Sequence, residues 1–378
     1  MQTPKAPWIK PGFIDNDTKR LGWMIETLEI DPHDSGHWLY ATGLTVYGGH
    51  DLTRWDTEGN VMIESLADGI EEFAVLDLAS APGGSELLVA VGDDSGFTFA
   101  STADLRTAPK TPWNAPMFPS STGVDYAGNA ADQVIRVGNT PGEPQAAISE
   151  DGGATWALHP GAGTAAAGGS VAYSADADTV LWSAAEGAGS GAGVLRSQNG
   201  ANFSAVSSLP AGAVIASDKR NNTVFYGGAS AKFYVSTNAG ESFTEAGALG
   251  DAGAVRDIAV HPLEAGEVWV STDVGVFHST DYGAMFEQPS TAVSNTYQIA
   301  LGLGSADSWN VYVFGTGPEG PKLYGSADAG ASWTDIQGSQ GFGAIDSARL
   351  AGSGNTAGQV FVGTNGRGVF SASGPIGT

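Results

Sequence analysis

The sequence contains no cysteine, which removes disulfide frameworks, thiolate nucleophiles and Cys-based metal sites. Basic residues are scarce as well: 16 Lys and Arg stand against 41 Asp and Glu, for a formal net charge of −25. A surface of that sign repels phosphate backbones and anionic headgroups, so neither nucleic acid nor a membrane is an expected partner. No apolar run approaches the roughly eighteen residues that a spanning helix needs. Histidine is rare, six in all, and no pair has helical metal-ligand spacing, so no metal is expected. His33 and His261 fall at one repeat position and read as turn residues. A nucleophile elbow, a P-loop and a dinucleotide fingerprint are missing, so no cofactor is expected either. Met1 to Trp8 carry no apolar segment of a signal peptide. That fits a chain cut from within a longer secreted one.

What is present is glycine, 55 residues spread along the chain, beside short apolar runs rich in Val, Tyr and Trp. Such runs, punctuated by tight turns, indicate many short strands. Five segments align: Ser149-Glu-Asp-Gly-Gly-Ala-Thr-Trp156, Ser197-Gln-Asn-Gly-Ala-Asn-Phe203, Ser236-Thr-Asn-Ala-Gly-Glu-Ser-Phe243, Ser279-Thr-Asp-Tyr-Gly-Ala-Met-Phe286 and Ser326-Ala-Asp-Ala-Gly-Ala-Ser-Trp333. Their serines are 48, 39, 43 and 47 residues apart. Two looser copies precede them, Gly49-His-Asp51-Leu-Thr-Arg-Trp55 and Ser101-Thr-Ala-Asp104-Leu, which brings the count to seven. Asp or Asn accepts nearby backbone N–H groups, Gly takes a positive φ, and the closing aromatic buries between sheets, so these turns read as scaffold.

Upstream of most turns lies a strand–turn–strand unit. Leu28 to Thr42 matches Ile258 to Thr272, and weaker copies begin at Val214 and Ala348. Each repeat thus supplies about four strands, the content of one propeller blade. The expected fold is all-β: a single seven-bladed β-propeller of four-stranded blades over residues 1–378. Ring closure is expected to pair the two ends of the chain, with Gln359 to Val362 and Gly368 to Phe370 as closing strands.

Propellers hold ligands at one end of the channel, so polar residues outside the repeat are the candidates. Asp93 and Asp94 follow the apolar run Leu87 to Val91 and precede Ser95-Gly96. Their equivalents in other repeats are Ser271-Thr-Asp273-Val-Gly275 and Gly363-Thr-Asn365-Gly366. An acid at a strand end, in low dielectric, is suited to general acid catalysis, and a turn acid is the plain alternative. Further acidic stretches are Val124 to Asn129 and Ala67 to Glu72. Trp8, Trp23, Trp113, Phe118, Tyr126, Tyr297 and Phe342 are aromatics able to stack on sugar rings or to pack between blades.

Several longer segments resemble the second half of glycoside hydrolase family 74, xyloglucan-specific endo-β-1,4-glucanases, and its fungal members above all. They are Pro4 to Ile9, Lys19 to Glu26, Leu28 to Pro32, Gly48 to Thr53, Ser65 to Glu72, Ala90 to Asp93 and Thr364 to Phe370. The family's Asp-box repeats are the turns described above. The resemblance implies two propellers facing each other across a glucan cleft. It also implies inverting hydrolysis with one aspartate from each propeller, at carboxyl separations of roughly 6.5–9.5 Å. It places the general acid on Asp93, with Asp94 adjacent as the alternative. It also makes Trp8, Trp23, Asp94, Asp125, Tyr126 and Phe342 candidate contacts to xyloglucan or a related β-1,4-glucan. The Tyr-Ala-Arg-Thr-Asp-Ile-Gly-Gly segment that holds the general base in the family's first propeller has no counterpart here, so the N-terminal propeller is an expected partner. A secreted, extracellular location follows from the same resemblance. The rival readings are a non-catalytic polysaccharide-binding propeller and a sialidase-like enzyme, the latter disfavoured by scattered arginines.

Overall fold

The computed structural model describes residues 24–376, apart from 44, 68–69, 71, 102–104, 106–108, 110, 165, 186–192 and 306–307. The sequence reading places one propeller over 1–378; the chain divides into two compact units, Met1–Glu72 and Phe73–Thr378.

Among the described residues there are eight sheets, five of four strands and three of three. All are antiparallel meanders in chain order. The first unit holds one of them, strands Thr27–Asp31, Asp34–Ala41, Val46–Gly49 and Glu64–Ser65. Trp38, Tyr40 and Tyr47 stack on one another there, at 5.7 and 5.3 Å between ring centroids.

The second unit holds the other seven sheets. Their first strands are Val75–Ala79, Ser121–Ala127, Ser170–Tyr173, Val214–Ser217, Val255–Val260, Ser294–Leu303 and Arg349–Gly352. Each packs on the next, and Arg349–Gly352 returns to Val75–Ala79. The last sheet thus returns to the sheet at 75–99, and the expected closing strands at 359–362 and 368–370 fall within it. Its apolar contact sets Ala351 and Phe361 against Val75, Leu78, Leu87 and Val89. The second strands explain why stacking is obligatory. Leu87–Val91, Thr179–Ser183, Val268–Thr272 and Gln359–Gly363 are buried at every residue, so each sheet needs cover on both faces. The sheet at 349–373 corresponds to the strand–turn–strand copy that begins at Ala348, and it ends without the Ser-x-Asp turn.

The outermost strand is the variable part. In the sheet at 255–279 it shrinks to a bridge between His278 and Glu287, which is why that sheet has three strands instead of four. The turns themselves behave as scaffold. Asp151 Oδ1 accepts from Ser149 Oγ at 2.8 Å and from Thr155 N at 2.7 Å, and Gly153 N donates to Ser149 Oγ at 2.8 Å. The turns at 279–285 and 326–332 repeat this pattern. The Ser332 hydroxyl and amide hold the Asp328 carboxyl below the usual carboxylate range. The glycine is required: Gly283 has φ 78°, and a Cβ there would meet Phe233 at 2.3 Å. The Asp104 copy lies outside the described residues.

Neighbouring sheets are also tied by acids on their first strands. Asp77 Oδ2 accepts Val124 N at 2.9 Å, Asp125 Oδ2 accepts Tyr173 N at 2.7 Å, and Asp257 Oδ2 accepts Ile299 N at 3.0 Å. Bulges between Val75 and Asp77 and between Val255 and Asp257 shift the strand register beside two of these acids. Burial pushes the Asp77 carboxyl up to about 7 and Asp257 up to about 6, against those backbone N–H groups and the nearby Arg349 charge.

A native pKa above the unfolded value means that the folded chain binds more protons between the two. The contribution of Asp77 is therefore complete below about pH 4 and is lost as pH rises towards 7. Urea midpoints measured from pH 4.5 to 7.5 are expected to fall for the wild type. Asp77→Asn, which keeps an acceptor for Val124, is expected to flatten that fall by roughly 2 kcal/mol. Parallel curves for the two proteins would show that Asp77 does not titrate in this window.

Candidate functional site

In an antiparallel meander, the turn between second and third strands lies at the end where the first strand begins, and the turn between third and fourth strands lies at the other. The Asp93–Asp94 turn and the Ser-x-Asp turns are therefore at opposite ends of the seven-sheet unit. Asp273 and Asn365 share the Asp93 end by the same topology.

Strand Leu87–Val91 ends at this turn and strand Gly96–Phe99 leaves it. Val91 N donates to Ser95 O at 3.2 Å and Gly92 N to Ala74 O at 2.9 Å. Asp93 has φ 68° and Ser95 φ 61°, both left-handed without being glycine. Such residues persist when their surroundings over-determine them. Here Asp93 N donates to Ser120 Oγ at 3.1 Å, and Ser95 N to Pro119 O at 3.2 Å. The next sheet therefore holds the turn from behind.

The carboxyl groups of Asp93 and Asp94 accept no hydrogen bond among the described residues. Asp93 is exposed and Asp94 half-buried. Burial, then the Asp93 charge, pushes the Asp94 carboxyl up to about 6. Asp273 is the informative contrast. Its Oδ1 accepts Gly253 N at 2.9 Å and Ala254 N at 3.1 Å. Burial would raise that carboxyl, but the two amides outweigh it and leave it below the ordinary range. The same topological position thus carries a tethered structural acid in one sheet and a free pair in another.

The other sequence candidates separate. Trp8 and Trp23 lie outside the described residues. Asp125 is fully engaged: besides Tyr173 N, both its oxygens receive Lys219 Nζ at 2.7 Å. Lys219 also donates to Tyr126 O at 2.8 Å and Ser217 Oγ at 3.0 Å, and stands 4.6 Å over the Tyr126 ring. This clamp joins sheets on either side of the one at 170–205 and engages both Asp125 oxygens. Burial, then the Asp125 charge, raises the Tyr126 phenol. Phe342 keeps 8 % of its surface and meets Phe314 and Phe370 edge-on, a core position with no open ring face. Trp113 and Phe118 are buried as well. Tyr297, on a first strand, is half-buried, with the Arg256 guanidinium 4.4 Å from its centroid.

Two hollows are formed elsewhere. One of about 340 Å³ is lined by Glu29, Asp31, His37 and Trp38, and one of about 260 Å³ by His159, Tyr173, Asp178 and Asn199. Neither includes Asp93 or Asp94. No group of His, Asp and Glu among the described residues is arranged to hold a metal ion.

No protein-family model matches the chain. Over 385 aligned residues it is 64 % identical to a xyloglucanase of Hypocrea jecorina, covering 100 % of this chain and 45 % of that protein. It is 36 % identical to the xyloglucanase Xgh74A of Acetivibrio thermocellus, covering 96 % of this chain and 43 % of the relative. Among solved structures, the GH74 xyloglucanase of Xanthomonas campestris superposes with a TM-score of 0.76 at 26 % identity, over 92 % of this chain and 50 % of that one. The GH74 enzyme of Niastella koreensis gives 0.75 at 27 %, over 93 % and 51 %. The chain therefore spans about half the length of the relatives it matches.

Proposed function

The chain belongs to the GH74 xyloglucanases in sequence and fold, and on that footing we propose that it forms one bank of a xyloglucan-hydrolysing cleft and carries the general acid. The seven sheets of Phe73–Thr378 are read as one seven-bladed propeller. The sheet at 27–65 is read as a blade of a second one: its first strand exposes Leu28 and Ile30, 58 % and 48 % accessible. The rest of that second ring, and the general base, are assigned to the part of the enzyme that corresponds to the relatives' unspanned length. The expected location is extracellular.

The observation that carries this reading is the free carboxyl pair at Asp93 and Asp94, held on a turn whose equivalent acid at Asp273 is tied to backbone. Asp93, the exposed member, is proposed to protonate the leaving glycosidic oxygen. Inversion requires the base on the opposite side of the bond, with space for water between.

The test measures reducing ends released from xyloglucan by this chain alone, and by this chain mixed with the part of the Hypocrea jecorina enzyme that it does not span. Little release alone and recovery in the mixture is the expected result. Full enzymatic speed by the chain alone would mean that both acids lie within it. Retention of the chain in a xyloglucan-containing gel, with no hydrolysis in any mixture, would favour a binding module.

A further inference from the structure

We propose that Arg136 is a positioning residue for the acid turn, locking Asp93 to Ser95 in the conformation that presents both carboxyl groups. The inference deepens the catalytic reading above and rests on it.

Arg136 lies on strand Ala130–Gly138, one sheet beyond the turn, with none of its surface exposed. No carboxylate pairs with it among the described residues. Its guanidinium carbon instead stands 5.3, 4.4 and 4.8 Å from the rings of Trp113, Phe118 and Trp156. A cation buried without a counter-charge is costly, even with the ring faces around it. Burial lowers its pKa to about 9, and Nε has no partner. A methionine would fill such an aromatic box at less cost, so packing gives no reason for a guanidinium here.

The hydrogen bonds do give one. Nη1 donates to Ser95 Oγ at 2.9 Å and to Ser121 Oγ at 3.0 Å, and Nη2 donates to Pro116 O at 2.5 Å. Ser95 directly follows Asp94, is fully buried, and is left-handed. One rigid fork thus fastens the turn, the start of the adjacent first strand and the loop at 113–118 to each other. That loop in turn covers the turn's last residue: Trp113 N donates to Gly96 O at 2.8 Å, and a Cβ on Gly96 would meet the Trp113 ring at 2.3 Å. Lysine keeps the charge but lacks the planar fork, so it is not an equivalent replacement.

The experiment uses Arg136→Lys and Ser95→Ala, the second removing the turn-side acceptor while leaving the core cation in place. Hydrogen exchange read by mass spectrometry over residues 92–97 is expected to speed up about tenfold or more in both, with the other sheets as protected as before. In the mixture described above, kcat is expected to fall by about 10- to 100-fold with KM within about twofold, the signature of a misplaced acid. Unchanged exchange at the turn in variants that melt as the wild type does would overturn the inference and make Arg136 a core residue. Faster exchange with unchanged kcat would uphold the hold of Arg136 on the turn and sink the assignment of the acid to it.

Discussion

Asp93→Asn is expected to lower xyloglucan turnover in the reconstituted mixture by about 10²- to 10⁴-fold, the scale of a lost general acid. Its melting temperature should be unchanged, because Asn tolerates the left-handed φ of 68° at this position at least as well as Asp. The Asp93 carboxyl also makes no hydrogen bond among the described residues to lose. Asp94→Asn should behave differently. It leaves the proposed acid in place, so much of kcat should be kept. Rates for the two variants decide between them. A dead Asp94→Asn beside an active Asp93→Asn would transfer the acid one residue along.

Lys219→Met is expected to cost about 3–5 kcal/mol of unfolding free energy, which urea denaturation of the chain alone measures. The salt bridge itself is not the main reason. Removing Lys219 leaves the Asp125 carboxylate enclosed between sheets with one backbone N–H and the Ser217 hydroxyl for company. It also frees Tyr126 O, which accepts from the same ammonium. Adding Asp125→Asn to Lys219→Met should therefore recover a good part of the loss. A cost under about 1 kcal/mol for the single variant would mean that water reaches the pair as freely as at a surface.

Sequence patterning shows the sheets and their turns because both rest on local chemistry: alternating and continuous apolar runs, and Ser-x-Asp turns whose glycine sits at a positive φ. The closing sheet at 349–373 was harder to count because it has the strands without the turn. The clamps were hidden for another reason. Asp77, Asp125 and Asp257 meet amides 40 to 50 positions away, and nothing local marks an acid for such a contact. One trace was present, since Val75-Leu-Asp77-Leu and Val255-Arg-Asp257-Ile share an acid inside an apolar strand. Asp125 and Phe342 looked like sugar contacts because they fall outside the turn repeat. Lys219, distant in sequence, engages Asp125, and Phe314 and Phe370 pack Phe342 into the core. The free pair at Asp93 and Asp94 could be located from the sequence, but its contrast with Asp273 could not. That contrast depends on two amides of the preceding connection, Gly253 and Ala254.

The return of strand Arg349–Gly352 to strand Val75–Ala79 sets this unit apart from open solenoids. An open array frays from its terminal repeats, each of which has one neighbour to lose. Here every sheet has two, so the first to detach breaks a pair of interfaces at once, and none is cheaper by position alone. Denaturation of Phe73–Thr378 should accordingly be steep and undivided. Deleting any one sheet should be felt on the far side of the circle as strongly as beside the gap.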